Sequence, residues 1–247
     1  MTQHVVCLLI ILAFPFFSHA RQSPPGLTIS HLYGDFYVYT THNVYNGTTF
    51  PANSMYMVTS KGVVLFDTPW DTARFQPLLD SIQQRHHAKV IMCIASHFHE
   101  DRTGGFDYFR QQGIATRSST YTKQLCTEHS EKQAAFVFTK DTTFIIGNHR
   151  FRTFYPGEGH TKDNIVFWFE KEKILYGGCL VKSTEASGLG NLSDANPHAW
   201  EQSVHKLLTT FPAPVYVIPG HQDWRNNQSL LHTLQLVQQY LQQQKVK

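Results

Sequence analysis

The sequence has little cysteine and little charge. Four of its 247 residues are cysteines, and 16% are charged, with a formal net charge of +3. Four cysteines do not make the disulfide framework of a small secreted scaffold. The basic residues are scattered and form no aromatic-interleaved stripe, so nucleic acid is not an expected partner. The Gly-x-Ser-x-Gly motif of a serine hydrolase is also lacking.

Long apolar runs are almost absent as well. Val5 to Phe17 carries no charged residue, which suits a signal-peptide core but is too short to span a bilayer. Ser18-His19-Ala20 follows as a small-x-small cleavage site. We predict that residues 1–20 are a cleaved signal peptide and that the mature protein, 21–247, is periplasmic, without a membrane span. The alternative is a buried N-terminal strand.

Cleavage would remove Cys7 and leave Cys93, Cys126 and Cys179 in an oxidising compartment. Because three thiols cannot all pair, at least one must be free or metal-bound. Cys93 lies in the apolar run 90–94, where a buried inert thiol is expected. Cys126 lies in a predicted helix and has no assigned role.

The residues that are present in a distinctive pattern are His97, His99 and Asp101, directly after a predicted strand at 89–95. In an extended chain, side chains two residues apart point to the same side. The three side chains would then converge, and imidazole and carboxylate both bind zinc. The alternative is a polar turn with incidental histidines.

Three further strand ends break into a metal-ligand residue beside glycine. His160 follows the run 151–155, Cys179 follows 174–176, and His221 follows 215–218. Glycine permits the tight turns that aim such side chains at a shared centre. Four histidines, one aspartate and one cysteine are enough for two metal ions with open coordination positions.

The remaining pattern predicts strands and helices in the same order in both halves of the chain. The segment 42–51 between the second and third strands is predicted to be a hairpin loop with Gly47 at its tip; its aromatic residues either form a flap over a cleft or fold onto their own base. The order of elements indicates one domain over 21–247, with two pseudo-symmetric halves, two β-sheets and helices outside. The predicted strands are 27–32, 36–40, 55–59, 63–66, 89–95, 143–146, 150–155, 165–169, 174–176 and 215–218, and the predicted helices are 71–86, 103–112, 120–128, 200–210 and 227–243.

The whole of 21–247 resembles the metallo-β-lactamases, and among them the di-zinc subclass with a cysteine ligand. The resemblance rests on four motifs, which are His97-Phe98-His99-Glu100-Asp101, Gly159-His160-Thr161, Gly177-Gly178-Cys179-Leu180-Val181-Lys182 and Gly220-His221. It implies an α/β fold, a four-layer αβ/βα sandwich with the site at one edge of the two sheets. It also implies two Zn²⁺ per chain, one held by His97, His99 and His160, the other by Asp101, Cys179 and His221.

The activity implied by the resemblance is hydrolysis of the β-lactam amide bond by a metal-bound hydroxide, which inactivates β-lactam antibiotics, carbapenems included. Asp101 is the candidate catalytic residue that orients the attacking hydroxide. Lys182 would bind the substrate carboxylate and Asn191 the lactam carbonyl; a solvated lysine and a plain turn are the respective alternatives. The chain is expected to act as a monomer on small molecules, with Val44, Tyr45 and Phe50 as the flap.

Two neighbouring residues separate this family from a related one. A glyoxalase-II-like thioesterase is the alternative function; such enzymes usually carry histidine where Arg102 stands and a bridging aspartate where Cys179 stands. We expect Arg102 to lie under the site as a fixed cation and Asp67 to orient a ligand. Phe98 departs from family usage, where a small polar residue is more common, and its ring is expected to face away from the metals.

Overall fold

Two β-sheets form the framework of the protein, which is described here from a computed structural model. The structure describes residues 26–139 and 141–245, so the predicted signal peptide lies outside the described residues. The first sheet has seven strands in chain order, antiparallel from β1 to β4 and parallel from β4 to β7. Its strands are β1 Leu27–Tyr33, β2 Phe36–Tyr45, β3 Thr48–Thr59, β4 Gly62–Phe66, β5 Val90–Ile94, β6 Ala115–Ser119 and β7 Phe136–Phe138.

The second sheet has five strands in the order β12-β11-β10-β9-β8. Only β11 and β12 pair in parallel; the other neighbours are antiparallel. Every residue of β10 is buried, as expected for a strand covered on both faces. The strands are β8 Thr143–Ile146, β9 His149–Phe154, β10 Val166–Phe169, β11 Ile174–Gly178 and β12 Tyr216–Pro219.

Helices cover the outer faces of both sheets. A short 3₁₀ helix, Thr72–Arg74, precedes the first α-helix, and none of the helices among the described residues is long and apolar enough to cross a membrane. The α-helices are α1 Phe75–His86, α2 Glu100–Thr103, α3 Phe106–Gln111, α4 Thr120–Glu128, α5 Pro197–Thr210 and α6 Ser229–Lys245.

Three apolar clusters separate four layers. The central cluster joins the inner faces of the sheets, for example Phe66 of β4 against Phe167 of β10. One outer cluster packs α1 and α3 on the first sheet, and another packs α5 and α6 on the second. Burial of these faces removes apolar surface from water, which is the main favourable term in folding. The predicted four-layer sandwich is therefore confirmed.

The sequence-based elements differ from the structure in three places. Strands β2 and β3 continue through the predicted loop 42–51 and meet at Asn46 and Gly47, whose φ angles of 50° and 76° suit a two-residue hairpin turn. The predicted helix 103–112 is divided at Gly104 and Gly105, and a Cβ on Gly105 would lie 3.1 Å from Thr68. Strands β6 and β7 were not predicted.

The parallel and antiparallel pairings place the carboxyl ends of β4, β5, β9, β11 and β12 at one edge of the sandwich. A strand that is antiparallel to an antiparallel neighbour runs parallel to the original, so β9 ends on the same side as β11. The loops that follow β5, β9, β11 and β12 carry the predicted metal ligands, and Asp67 follows β4. The fold thereby brings residues more than 100 positions apart to one edge.

Candidate metal centre

The side chains of His97, His99 and Asp101 converge, but the chain that carries them is not extended throughout. Strand β5 ends at Ile94, His99 is the residue that precedes α2, and Asp101 lies in the first turn of that helix. The prediction that all three residues lie at alternate positions of one extended segment is wrong, because the chain becomes helical after His99. The ligand atoms of His97, His99 and Asp101 nevertheless lie within 4.8 Å of one another.

The three residues predicted to form the second set are brought together. Asp101, Cys179 and His221 have ligand atoms within 4.8 Å of one another. Cys179 Sγ lies 3.2 Å from His221 Nε2 and 3.6 Å from Asp101 Oδ2. His221 Nδ1 lies 2.8 Å from the carbonyl oxygen of Pro51, which leaves Nε2 facing the cluster. One carboxylate, one thiol and one imidazole therefore share a small volume.

The three other candidate donors, His97, His99 and His160, contact one another and lie next to the second set. The rings of His97, His99 and His160 have centroids 4.9 to 5.0 Å apart, and His99 Nδ1 lies 3.1 Å from His160 Nε2. His97, His160 and Cys179 also have ligand atoms within 4.8 Å of one another. Because His97 approaches both donor sets, the division of the six residues between two ions stays a prediction.

The donor atoms fit zinc. His97 Nε2 and His160 Nδ1 are buried and have no hydrogen-bond partner among the described residues. Burial, reinforced by neighbouring positive groups, holds the pKa of each of these two imidazoles well below its usual range, so both are neutral bases. Neutral imidazole, carboxylate and thiolate are the ligands that zinc takes in proteins. The six residues are therefore able to hold zinc.

Arg102 lies beneath the cluster, as predicted, and is completely buried. Its Nη2 atom lies 2.9 Å from Asp101 Oδ2 and 3.0 Å from Cys179 Sγ. Burial raises the pKa of the Cys179 thiol to about 12, and Arg102 acts in the opposite direction. Burial also opposes ionisation of Asp101, but Arg102 and His221 outweigh it and hold the pKa of Asp101 well below its usual range. The guanidinium thus compensates the anionic donors.

Asp67 orients a predicted ligand through Ser96. Asp67 Oδ1 accepts a hydrogen bond of 2.6 Å from the Ser96 backbone, and Asp67 Oδ2 accepts one of 2.8 Å from Ser96 Oγ. Ser96 Oγ in turn lies 3.1 Å from His97 Nδ1. Such a contact fixes which ring nitrogen of His97 faces the metal. The structure connects Asp67 to His97 through Ser96, an intermediate that the sequence did not reveal, and the role of His97 as a metal ligand stays a prediction.

Asp194 is a functional candidate that the sequence-based reasoning missed. Its Oδ2 atom lies 3.0 Å from His99 Nε2, which orients His99 Nδ1 toward His160. Ser193 Oγ donates a second hydrogen bond of 3.0 Å to the same oxygen. The signal available was position, because Asp194 closes the loop in which Asn191 had been noted.

A cavity of about 540 Å³ opens above the donors. Lys182 and Asn191 both line it, as do the aromatic residues Tyr45 and Phe50 of the β2–β3 hairpin; Val44 is not among the lining residues and is 65% exposed. Asn191 Oδ1 accepts a hydrogen bond of 3.0 Å from the Ser193 backbone, so this residue takes part in a turn, and its role in substrate binding stays a prediction. Its side-chain amide nitrogen makes no such contact within the turn.

The ring of Phe98 packs against the edge of the donor cluster, with its centroid 4.5 Å from that of His99. The ring is 3% exposed and packs in a cluster with Leu125 and Cys126 of α4, and its centroid lies 4.6 Å from that of His129. A bulky ring between two ligands is accommodated because it fills space behind the cluster. All six candidate donors still converge with this ring in place, and the expectation that packing is altered stays a prediction.

Comparisons with known proteins agree with this geometry. A family model for the metallo-β-lactamase superfamily matches residues 47–221. A type 2 metallo-β-lactamase of Elizabethkingia meningoseptica is 43% identical over 224 residues, which cover 91% of this chain and 90% of the relative. The metallo-β-lactamase IND-1 of Chryseobacterium indologenes is 38% identical over 81% of this chain and 84% of its own.

Two solved structures have the same architecture. A metallo-β-lactamase from Pontibacter korlensis superposes with a TM-score of 0.83 at 34% identity, over 86% of this chain and 99% of that one. The crystal structure of the metallo-β-lactamase IND-7 gives a TM-score of 0.84 at 36% identity, over 87% and 99% of the two chains. With the family model, the relatives and the fold in agreement, the chain belongs to the metallo-β-lactamases, a metal-dependent family.

Proposed function

We propose that this protein hydrolyses the amide bond of β-lactams in a zinc-dependent reaction and so inactivates β-lactam antibiotics, carbapenems included. The observation that carries the proposal is the convergence of six donor residues beneath a cavity that Lys182 lines. The relatives at 43% and 38% identity are themselves named metallo-β-lactamases. A β-lactam carries a strained amide and a carboxylate, and the cavity offers groups that suit both.

We propose two zinc ions per chain, one held by His97, His99 and His160 and the other by Asp101, Cys179 and His221. Three neutral imidazoles leave the first ion strongly acidic, whereas a carboxylate and a thiolate neutralise the second. When bound, zinc polarises carbonyl oxygens and lowers the pKa of the water that it holds to about 7.

Asp101 is the proposed catalytic residue. Arg102 and His221 keep its carboxylate ionised, so it is able to accept a hydrogen bond from the attacking water and to hold that water on one side of the lactam carbonyl. Arg102 itself is fixed by the carbonyl oxygens of Asn53 and Gly220, at 2.8 and 3.0 Å. Fixed positioning of this kind lowers the entropic part of an activation barrier.

Lys182 and Asn191 are the proposed substrate-binding residues. Lys182 Nζ lies 5.2 Å from the Trp200 ring centroid, which restricts the ammonium to one side of the cavity. A lysine suits a single point contact with a carboxylate. Asn191 uses its side-chain oxygen in the turn, which leaves its amide N–H groups to donate to the lactam carbonyl.

Aromatic side chains form the proposed apolar wall that excludes water from the reacting bond. Phe50 and Trp70 both pack against His221, with ring centroids 5.3 and 5.8 Å from the imidazole, and Tyr45 lies against Trp70 at 6.4 Å. The wall therefore adjoins the donor cluster directly. Polar interactions inside such a cavity are stronger than in bulk water.

Turnover of a chromogenic cephalosporin tests the function. We expect hydrolysis by the zinc-loaded protein, loss of activity with a chelator, and recovery on addition of Zn²⁺. A zinc-loaded, folded sample that hydrolyses neither a cephalosporin nor a carbapenem contradicts the proposal.

We further propose that the enzyme acts as a periplasmic monomer. The apolar run Val5 to Phe17 and the small residues Ser18 and Ala20 support the location. Fractionation of a bacterium that expresses the full sequence tests the location, and light scattering of the purified protein tests the oligomeric state.

A further inference from the structure

The ammonium group of Lys182 lies against an aromatic ring and not against an acceptor. Lys182 is partly buried and lines the cavity. Within residues 26–139 and 141–245, no group accepts a hydrogen bond from its Nζ atom or forms an ion pair with it. The Nζ atom lies instead 5.2 Å from the centroid of the Trp200 indole. A cation within about 6 Å of such a ring face is attracted by the electron density of the ring.

The indole of Trp200 is fixed in place. Trp200 lies near the start of α5 and is completely buried. Its Nε1 atom donates a hydrogen bond of 2.9 Å to the carbonyl oxygen of Leu180, two residues before Lys182. A Cβ on Gly159 would lie 3.0 Å from Trp200 Cδ1, so glycine at this position leaves room for the ring. The hydrogen bond and the close packing together fix the ring face that Lys182 contacts.

The backbone of Lys182 is fixed by a different helix. Its N–H donates a hydrogen bond of 2.8 Å to Thr233 Oγ1 of α6. Thr233 Oγ1 in turn donates one of 2.6 Å to the carbonyl oxygen of Ser229. Helix α6 thus holds the backbone of Lys182, and α5 holds the ammonium. A side chain that is restricted at both ends loses less rotamer freedom when it binds an anion.

Trp200 also connects the ammonium to the candidate metal donors. Its ring centroid lies 6.0 Å from that of His160. The backbone N–H of Asn196, which precedes α5, donates a hydrogen bond of 2.8 Å to the carbonyl oxygen of Gly159, next to His160. The position of the ammonium relative to His160 is therefore set by the indole. A β-lactam needs such a set position, because its fused rings hold the amide carbonyl and the carboxylate in a nearly rigid relation.

We propose that Trp200 is a positioning residue for substrate. The face of its indole holds the Lys182 ammonium at the place where it binds the substrate carboxylate. Trp200 thereby contributes to a preference of the enzyme for β-lactams that carry this carboxylate over neutral ones. The inference rests on the proposed function and names a residue that specifies the substrate class within it.

A penicillin and its ester test the proposal. Benzylpenicillin and its methyl ester differ only in the carboxylate that Lys182 is proposed to bind. The measured quantity is the ratio of kcat/KM for benzylpenicillin to that for the ester, with both values taken on the same zinc-loaded preparation. Because both substrates meet the same sample, any loss of folded or metal-bound protein cancels from the ratio.

Fluorination of the indole changes the attraction with little change in shape. The tryptophan at position 200 is replaced site-specifically by analogues with one, two and three fluorine atoms on the six-membered ring. Fluorine withdraws electron density from the ring face and weakens its attraction for a cation, while the N–H that donates to Leu180 remains. We expect the ratio to fall with each fluorine atom, by about two- to fivefold in all, mainly through KM for benzylpenicillin.

Three variants separate positioning from a general structural effect. In a Lys182→Ala background the fluorinated indoles leave the ratio unchanged, because the cation on which they act is gone. Trp168→Phe changes another buried tryptophan of the same apolar cluster, which packs against Phe211, and leaves the ratio at the wild-type value. Trp200→Leu, which removes the ring face altogether, lowers the ratio at least as far as three fluorine atoms do.

The possible results have different consequences. A ratio that is the same with tryptophan and with the trifluorinated analogue overturns the positioning role of Trp200, and so does an equal fall in the Lys182→Ala background. The proposed function stands in both cases, because hydrolysis itself is measured. A wild type that hydrolyses the acid and the ester equally well overturns the preference for the carboxylate. A zinc-loaded wild type that hydrolyses neither compound overturns both the inference and the proposed function.

Discussion

Arg102 Nη2 lies 3.0 Å from Cys179 Sγ, and both residues are buried. A buried thiol in an apolar setting resists ionisation, and zinc binds thiolate, so the cation beside it matters for metal affinity. The same guanidinium contacts Asp101 and lies 3.5 Å from Asp67. The Arg102 guanidinium therefore lies close to three groups that can carry a negative charge.

We expect Arg102→Met to weaken zinc binding at the site of Cys179 by about 10- to 100-fold, the usual effect of removing a group that supports a ligand. The buried carboxylates of Asp101 and Asp67 would also lose their cation, at a cost of about 3–5 kcal/mol in unfolding free energy. Competition with a chromophoric chelator measures the first effect and chemical denaturation the second. Arg102→Lys, which keeps the charge, is the control, and equal zinc affinity in all three proteins would contradict the role of the guanidinium.

Cys179→Ser should reduce bound zinc from two ions to one per chain, because serine is not deprotonated at neutral pH and replaces the thiolate poorly. Metal analysis after dialysis against buffer with little free zinc measures the stoichiometry. Cys126→Ala is the matched control, since Cys126 is buried behind Phe98. Two tightly held ions in Cys179→Ser would refute the assignment of this ligand.

Lys182→Ala should lower kcat/KM for carboxylate-bearing β-lactams by about 10- to 100-fold, mainly through KM, because a hydrogen bond to a charged group contributes about 1.5–3 kcal/mol. Steady-state kinetics with a penicillin measures the effect. Lys171→Ala changes an exposed lysine that does not line this cavity and serves as control. An unchanged KM would show that Lys182 does not bind the substrate carboxylate.

Asp194→Asn tests the contact with His99. The amide keeps the size of the carboxylate but lacks the charge that favours an N–H at His99 Nε2, so the ring would lose its fixed orientation. We expect a loss of about tenfold or more in zinc affinity and in turnover. Glu185→Gln, which changes a carboxylate outside the cavity lining, is a suitable comparison. Activity equal to that of the wild type at limiting zinc would show that the contact is dispensable.

Asp163 should make stability depend on pH. Burial raises the pKa of this carboxyl from 3.8 to about 6, whereas the hydroxyls of Thr122 and Thr161 act to lower it. Between these values the unfolded chain releases the proton and the folded chain keeps it, so stability falls as pH rises. The total loss of unfolding free energy is of the order of 3 kcal/mol and is complete above about pH 6.

Asp163→Asn should therefore flatten the decline of unfolding free energy between pH 4 and 6. Urea denaturation of the metal-free protein at several pH values measures it, since metal binding has its own pH dependence. Asp80→Asn, at an exposed position of α1, should leave the profile unchanged. A profile for Asp163→Asn that is parallel to the wild type would contradict the raised pKa.

The strand-end pattern singled out the six candidate donors from local information: a buried strand is followed by a ligand-type residue, beside glycine at His160, Cys179 and His221 and without glycine at His97, His99 and Asp101. Asp194 could not be found in this way. Its contact with His99 joins positions 95 residues apart and depends on how the loop after Asn191 folds over the site. The direction of the Arg102 guanidinium was, in contrast, predictable from its neighbours.

Two strand errors have distinct physical causes. β6, with the sequence Ala-Thr-Arg-Ser-Ser, has neither an apolar run nor strict alternation, and it is a strand because β5 pairs with it. The hairpin was too short in the prediction because the polar residues of 42–51 resemble a loop. The Asn46-Gly47 pair is the local signal for a two-residue turn, and it implies strands that reach the turn.

The β2–β3 hairpin is hydrogen-bonded at its base to the segment that carries His221. Ala52 and His221 form a β-bridge, and the backbone N–H of Asn53 donates a hydrogen bond of 2.8 Å to Gly220. Val44, near the tip, is 65% exposed. The base of the hairpin is thus tied to the segment that carries His221, while Tyr45 and Phe50 beyond that base line the cavity. A change in hairpin length at the turn would alter how much of the cavity the hairpin covers. The positions of the metal donors, which lie at the base, would stay the same.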